Sequence, residues 1–265
     1  MREESRPKRR HAITACVTAV ILGVVAASVA RSGVLPALRV ARTHSMKYYV
    51  SLPVGWSAER PWDILVTIDG AGGAFWPNNL QFVAARGTRP FIIVTPVILS
   101  NGGAPNALGK GYSQAVADEV GADGALTFDE AGLLAVIDDV VRDYGGRPTF
   151  FLTGFSAGGH LTWLMTLKHP DRLAAVSPAS TNYAERRIDQ ISSSPAREGL
   201  PVHGFQGDKD RLFGPLNEQW ALVEATAASH GYANVSREIV PGRRHSAFAP
   251  EVVAYFASVA RNRHG

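Results

Sequence analysis

Short apolar runs alternate with amphipathic segments through most of the chain, and this alternation predicts a sheet flanked by helices. Near-continuous apolar runs are typical of parallel strands, because helices cover both of their faces. The predicted strands occupy residues 46–52, 63–68, 91–95, 150–153, 173–176, 201–206 and 235–240, and the predicted helices occupy residues 127–144, 161–167, 216–230 and 249–259. Strands that alternate with helices in this way indicate an α/β fold, with a doubly wound, mostly parallel sheet and right-handed crossovers.

Two long segments lack a clear hydrophobic period. Residues 97–126 are rich in Gly, Asn and Ala, and we expect a loop that forms a functional rim or a lid, since long loops in compact domains usually serve a function. Residues 179–199 are polar and predict a second loop or a cap segment. The sequence Thr127-Phe128-Asp129-Glu130 is a capping box, so the helix after the first segment is expected to begin there.

The first 30 residues differ from the rest in charge and in pattern. A basic stretch precedes residues 12–30, which carry no charge, and Ser28-Val29-Ala30 fits a small-x-small cleavage signal. The segment is only weakly apolar, so it favours a cleaved export signal, with an uncleaved membrane anchor as the alternative. We therefore expect a tether at residues 31–42, one folded domain at residues 43–265, and a secreted or extracytoplasmic protein.

The charge of the chain is concentrated in this leader. It holds five of the 27 basic residues and two of the 23 acidic ones, so 22 basic and 21 acidic residues remain for the other 235 positions. Nothing in the folded domain therefore predicts a nucleic-acid partner. Cys16 is the only cysteine and belongs to the leader, which excludes disulfides and cysteine-based metal sites from the domain.

The strongest chemical pattern lies where the strand at 150–153 meets the helix that follows it. The pentapeptide Gly154-Phe155-Ser156-Ala157-Gly158 puts a serine at the tip of a strand–turn–helix, which is the context of a nucleophile elbow. The glycines allow strand and helix to pass closely around a strained backbone, and the helix N-terminus favours a developing oxyanion. The pattern predicts Ser156 as a nucleophile, and a glycine-rich junction with a surface serine is the alternative.

A serine nucleophile needs a neutral histidine as base and an acid that orients it, and in this type of sheet both follow the serine, the acid first. Asp210 lies just after the strand at 201–206 and is the predicted acid, with Asp208 as the alternative. His245 is the one histidine of eight in a loop between a late strand and the last helix, so it is the predicted base. Two carboxylates without further ligands make a weak metal site, and no metal is expected.

An oxyanion hole needs two backbone donors. One is the residue after the nucleophile, Ala157, and the other comes from the loop after an early strand. The run Asp69-Gly70-Ala71-Gly72-Gly73 supplies that loop, with Ala71 or Gly72 as the donor. It matches neither the dinucleotide nor the P-loop spacing, so no nucleotide cofactor is expected. Phe75 and Trp76 follow directly and are candidates to line a substrate pocket, with core packing as the alternative.

These motifs together resemble a known family over about residues 45–260. The chain is similar to α/β-hydrolase-fold serine esterases, and most of all to the secreted group with polyhydroxybutyrate depolymerase-like and feruloyl-esterase-like enzymes. The resemblance is carried by the loop after the early strand, the elbow, and the segments His169-Pro170-Asp171, Gly207-Asp208-Lys209-Asp210 and Gly242-Arg243-Arg244-His245. It implies Ser156 as nucleophile, Asp210 as acid, His245 as base, Ala157 with Ala71 or Gly72 as oxyanion donors, no cofactor, and little or no lid domain.

Two positions depart from the family pattern. Family members often have His-Gly in the oxyanion loop, where this chain has Asp69-Gly70, and often have His before the glycine of the acid loop, where this chain has Gln206. Asp69 either disfavours anionic substrates or orders its loop.

The sequence as a whole predicts an exported serine carboxylesterase that acts on small or polymeric esters through an acyl-enzyme. An acyltransferase of the mycolyl-transfer type would use the same triad. A non-catalytic binding protein on a hydrolase scaffold is the alternative from another class, and the complete Ser, Asp and His set disfavours it.

Overall fold

The protein is described by a computed structural model that covers residues 35–102, 106–184 and 190–264. The predicted export segment at residues 1–30 and the first part of the predicted tether lie outside the described residues. In the part of the chain that the structure describes, no helix combines the length and the apolar character needed to cross a membrane.

The described residues build one eight-stranded sheet in the order β1-β2-β4-β3-β5-β6-β7-β8. The strands are β1 Ala37–Val40, β2 Lys47–Ser51, β3 Asp63–Ile68, β4 Phe91–Pro96, β5 Phe150–Phe155, β6 Leu173–Ala179, β7 Val202–Gly207 and β8 Val235–Val240. β2 pairs antiparallel with β1 and with β4, and the other neighbours are parallel. The sheet is thus mostly parallel, as the apolar runs predict.

Helices cover both faces of this sheet. They are α1 Phe75–Arg86, α2 Gln114–Asp123, α3 Ala125–Tyr144, α4 Gly159–Lys168, α5 Ala196–Gly199, α6 Phe213–Ser229 and α7 Ala249–His264, with short 3₁₀ turns at Leu108–Lys110, Ser156–Gly158 and Pro170–Arg172. Strand residues alternate between the two layers. Ile64 and Val66 pack in the core with α2, α3, α4 and α6, whereas Leu65 packs in the core with α1 and α7. This arrangement is an α/β-hydrolase fold, in agreement with the sequence prediction.

Several segments differ from the sequence expectation, among them Phe75–Arg86, where helix α1 lies and no element was predicted. Part of the predicted tether, Ala37–Val40, is an edge strand, and its largely exposed side chains give no apolar pattern that marks it. The predicted loop at 97–126 contains a 3₁₀ turn and helix α2. Helix α3 begins at Ala125 and not at the predicted capping box. The Thr127 hydroxyl donates to the Asp123 carbonyl and the Glu130 carboxylate pairs with Lys168 and His169, so neither side chain makes the bonds of a capping box.

The parallel strands end at one edge of the sheet, where the predicted site residues follow them. The register pairs Ile68 at the end of β3 with Gly154 in β5, and Gly207 at the end of β7 with Val240 at the end of β8. Ligands of open α/β sheets bind at this carboxyl edge.

Candidate active site

Ser156 occupies the tight turn between β5 and α4. Its φ of 51° lies in the left-handed region, which costs energy for a residue with a side chain. The flanking glycines are required by close contacts, since a Cβ on Gly154 would lie 1.9 Å from the Thr162 hydroxyl and one on Gly158 would lie 2.6 Å from the Asp69 carbonyl oxygen. The strand–turn–helix that the pentapeptide predicts is therefore present, with the serine at its tip.

Asp210 and His245 are in direct contact at the same edge. The Nδ1 atom of His245 lies 2.6 Å from Oδ2 of Asp210, whose side chain is fully buried. The carboxylate also accepts the Leu212 N–H at Oδ1, at 2.8 Å, and the Gln206 side-chain amide at Oδ2, at 3.0 Å. Burial raises the pKa of Asp210, but the hydrogen bonds from His245 and the Leu212 N–H, with the charge of His245, outweigh it and hold that pKa below its ordinary value.

This contact fixes the proton on the imidazole. An ionised carboxylate is only an acceptor, so Nδ1 of His245 must be the donor. In the neutral ring the lone pair is then on Nε2, which leaves Nε2 available as a base.

The imidazole lies beside the elbow. Its ring centroid is 4.8 Å from that of Phe155, the residue immediately before Ser156. Among the described residues, none forms a hydrogen bond with the Ser156 hydroxyl, while the Ser156 carbonyl accepts the Asn182 N–H at 2.9 Å. The structure thus joins Asp210 to His245 and puts the pair next to the segment that holds Ser156.

Asp208, the alternative candidate for the acid, forms different contacts from Asp210. Its Oδ1 accepts the Gly242 N–H at 2.7 Å, at the start of the loop that carries His245. Asp208 therefore ties the loop after β7 to the loop after β8, and it does not contact the imidazole through a hydrogen bond.

The turn after β3, residues 70–73 and called here the β3 turn, lies against the elbow. A Cβ on Gly70 would be 3.1 Å from Cβ of Ser156, and the Gly73 N–H bonds the Gly70 carbonyl at 3.2 Å. Gly102 packs against two of the predicted oxyanion donors, Ala71 and Ala157. A Cβ atom added to Gly102 would lie 3.4 Å from the Cβ atom of each. The structure therefore brings these two predicted donors to one place.

Asp69 orders the β3 turn. Its Oδ2 accepts the Ala74 N–H at 2.5 Å, and the carboxylate also accepts the Gly70 N–H. Burial raises the pKa of Asp69, and these two bonds together with the positive charge of Lys110 oppose that rise. Of the two roles left open for Asp69 in the sequence, the contacts support the ordering of the loop.

Phe75 and Trp76 begin helix α1 and differ in exposure. Phe75 is buried and lines a cleft of about 260 Å³ together with Tyr49, Gly73 and Lys110. Trp76 is 44% exposed. Their roles as substrate-lining residues stay predictions.

Two residues that hold the β3 turn in place, Asn101 and Lys110, were not identified from the sequence. Asn101 donates to the Gly70 carbonyl at 2.6 Å, and Lys110 donates to the Asn101 side chain at 2.6 Å. Both lie in the segment predicted to be a long loop, where no periodicity marks them. Gln206 was visible only as a departure from the family pattern.

Comparison with solved structures gives the same fold. A putative dienelactone hydrolase from Klebsiella pneumoniae has a TM-score of 0.58 and 18% identity, with 86% of this chain and 96% of that chain covered. An esterase from Thermogutta terrifontis, solved with propionate bound, has a TM-score of 0.53 and 17% identity, with 87% and 95% covered. The feruloyl esterase module from Clostridium thermocellum has a TM-score of 0.50 and 16% identity, with 84% and 85% covered.

The sequence matches a family model but no individual curated protein. No curated protein matches the sequence significantly. The family model described as "Putative esterase" matches residues 41–258, which include every predicted site residue. The chain thus belongs to this esterase family of the α/β-hydrolase fold.

Proposed function

We propose that the protein is a serine-dependent carboxylic ester hydrolase, with Ser156 as nucleophile, His245 as general base and Asp210 as the acid that orients it. The observation that carries this proposal is the 2.6 Å bond between His245 Nδ1 and the buried Asp210 carboxylate, beside the elbow. Membership of the esterase family supports the class of reaction.

In the acylation step, Nε2 of His245 removes the proton of the Ser156 hydroxyl while Oγ attacks the ester carbonyl carbon. Hydrogen bonds between nucleophile and base often form only when substrate is bound, so the lack of a hydrogen bond from the described residues to the Ser156 hydroxyl is compatible with this step. The N–H group of Ala157 and that of Ala71 or Gly72 stabilise the oxyanion. The tetrahedral intermediate expels the alcohol, which takes the proton from His245.

In the deacylation step, His245 removes a proton from water, and the resulting hydroxide attacks the acyl-enzyme carbonyl. The second tetrahedral intermediate releases the carboxylic acid, and Ser156 recovers its proton from His245. The scheme consumes one ester and one water and produces one acid and one alcohol. It uses no cofactor.

Small or polymeric esters are the proposed substrates, and the protein is proposed to act outside the cytoplasm. The second point depends on the leader, whose basic start, uncharged stretch and small-residue cleavage pattern are typical of export signals. N-terminal sequencing of the protein recovered from its expressing cells checks it, because a cleaved signal gives an N-terminus near residue 31.

The nucleophile is tested by labelling with a fluorophosphonate probe, followed by mapping of the labelled peptide. We expect the label on the peptide that contains Ser156, and we expect Ser156→Ala to lose both the label and the hydrolysis of nitrophenyl esters. Ser229→Ala is the matched control, since Ser229 is an exposed serine on α6 and should keep both. A folded Ser156→Ala variant with full esterase activity would overturn the proposal.

The same assay separates hydrolysis from acyl transfer. With nitrophenyl esters of increasing chain length and an added acceptor alcohol, a hydrolase forms mainly the free acid. Predominant formation of a new ester would identify the enzyme as an acyltransferase.

A further inference from the structure

The β3 turn is held by the segment after β4. The Gly70 carbonyl accepts a 2.6 Å hydrogen bond from Nδ2 of Asn101, whose side chain is 1% exposed. Gly102, the next residue, has a φ of 102° and packs against Ala71 and Ala157. The segment thus contacts Ala71 and Ala157, two of the residues whose N–H groups are predicted oxyanion donors.

The Asn101 bond fixes a peptide plane. The Gly70 carbonyl and the Ala71 N–H belong to the same peptide unit, and the peptide bonds of the described residues are trans. In a trans peptide these two groups point in opposite directions. An Asn101 side chain that binds the carbonyl therefore directs the Ala71 N–H away from Asn101, in a turn whose Gly70 lies against Ser156.

Lys110 fixes Asn101 in turn. Its ammonium group donates to Oδ1 of Asn101 at 2.6 Å and to the Ile98 carbonyl at 2.8 Å. An ammonium group has donors only, so the amide oxygen must face Lys110 and the amide nitrogen must face Gly70. The direction of the amide follows from this chemistry.

Two nearby carboxylates act on the charge of Lys110. Burial lowers the pKa of Lys110, while the carboxylates of Asp129 and Asp69 oppose the change. Asp129 itself accepts the N–H groups of Leu99 and Ser100, directly before Asn101. The whole segment is therefore fixed by α3 on one side and by the β3 turn on the other.

We infer that Asn101 and Lys110 are positioning residues of the oxyanion hole, which act together by orienting the Gly70–Ala71 peptide so that the Ala71 N–H is the second donor. The inference rests on the proposed esterase function and deepens it, because it assigns the donor that the sequence left open between Ala71 and Gly72. Neither side chain touches the reacting atoms.

The test compares the kinetics of Asn101→Ala, Lys110→Met and the double variant with those of the wild type on a nitrophenyl ester. Loss of an oxyanion donor lowers kcat by about 10²–10³-fold, and a misaligned donor should cost less. We expect Asn101→Ala to lower kcat by about 10–100-fold with little change in KM, and to slow fluorophosphonate labelling to a similar extent. The pH profile should keep its midpoint, because the Asp210–His245 contact is untouched.

The double variant distinguishes a coupled pair from two independent effects. If Lys110 acts through Asn101, the double variant is no slower than Asn101→Ala alone, whereas independent effects multiply. Lys168→Met is the matched control, since Lys168 is also a partly buried lysine and pairs with Glu130 on α3, away from the turn. It should keep the wild-type kcat.

Folding is monitored by circular dichroism and urea unfolding. If Asn101→Ala does not fold, Asn101→Asp is used, because it retains an acceptor for Lys110 but cannot donate to the Gly70 carbonyl. Folded variants with wild-type kcat, or losses that multiply in the double variant, would overturn the inference. A wild-type protein without esterase activity or labelling would instead refute the proposed function.

Discussion

The two halves of the candidate site are built differently. On the side of β7 and β8, one buried carboxylate, Asp210, contacts the functional imidazole directly, and hydrogen bonds lower its pKa. On the side of β3 and β4, Asp69 and Asp129 contact backbone N–H groups, and burial raises the pKa of each. In the first half, the negative charge of Asp210 acts on the imidazole of His245. In the second half, the carboxylates of Asp69 and Asp129 hold backbone loops in place. Changes in the first should therefore affect mainly chemistry, and changes in the second should affect stability as well.

The largest effect is expected for Asp210→Asn. An amide in this place can turn its N–H₂ group toward Nδ1 of His245, which then carries the lone pair, so Nε2 becomes protonated and cannot act as a base. We expect kcat to fall by about 10³–10⁴-fold, with a smaller change in KM, in steady-state assays. Asp208→Asn is the control and should lose less than about 10-fold. Equal losses in the two variants would contradict the assignment of the acid.

On the other side of the site, Asp69→Ala should affect both activity and stability. The N–H groups of Gly70 and of the exposed Ala74 lose a charged acceptor, and a hydrogen bond to a charged group contributes about 1.5–3 kcal/mol to the free energy of unfolding. We expect kcat to fall by about 10-fold, because the β3 turn loses its anchor. Urea unfolding and steady-state assays measure the two effects. Asp171→Ala, an exposed carboxylate at the opposite end of the sheet, should change neither.

Gln206→Met is expected to lower kcat less than Asp69→Ala does. The Asp210 Oδ2 atom loses one of its two side-chain donors, so the carboxylate is held less firmly against His245. We expect kcat to fall by about 3–10-fold with an unchanged fold, since only part of the roughly 1.5–3 kcal/mol that a hydrogen bond to a charged group contributes is lost from the transition state while the other donors remain. Gln81→Met, on the exposed surface of α1, is the control. A kcat equal to that of the wild type would show that Gln206 is not needed to hold Asp210.

The smallest effect on activity is expected for Asp129→Asn, which should instead change how stability depends on pH. Burial raises the pKa of Asp129 to about 6, against the bonds from Ser100 and Leu99 and the charge of Lys110. Because the folded-state pKa exceeds the unfolded one, the stability gained by protonation is fully present below about pH 4 and is lost as pH rises through about 6. The asparagine variant has no such titration.

Urea unfolding of the wild type and of Asp129→Asn at pH 4.5 and 7.5 tests the direction of this pH dependence. The unfolding free energy of the wild type minus that of Asp129→Asn should be larger at pH 4.5, by on the order of 2 kcal/mol. A difference that grows with pH would show that the folded-state pKa of Asp129 is lowered instead. The opposite sign is expected for Asp210, whose lowered pKa gives stability that is lost as pH falls below about 4.

The two sides of the site also differ in how well their residues could be predicted from the sequence. Ser156, Asp210 and His245 lie in short motifs at strand ends, and chain order selects them from many serines, aspartates and histidines. Asn101 and Lys110 lie in a segment without periodicity, where helix α2 also went unpredicted. Their contacts join residues that are 9, 12 and 31 positions apart, and local sequence patterns contain no information on such pairings.

The sequence by itself determined the α/β fold, the elbow and the candidates for nucleophile, acid and base, because the periodicity of apolar residues and the glycine pattern are local properties of the chain. Only the tertiary structure decided that Asp210, and not Asp208, contacts His245, and that Asp69 orders its turn. It also decided that Asn101 orients the Gly70 carbonyl. The physical reason is that hydrogen-bond partners depend on distances and directions between distant segments, which are fixed when the sheet brings the strand ends to one edge.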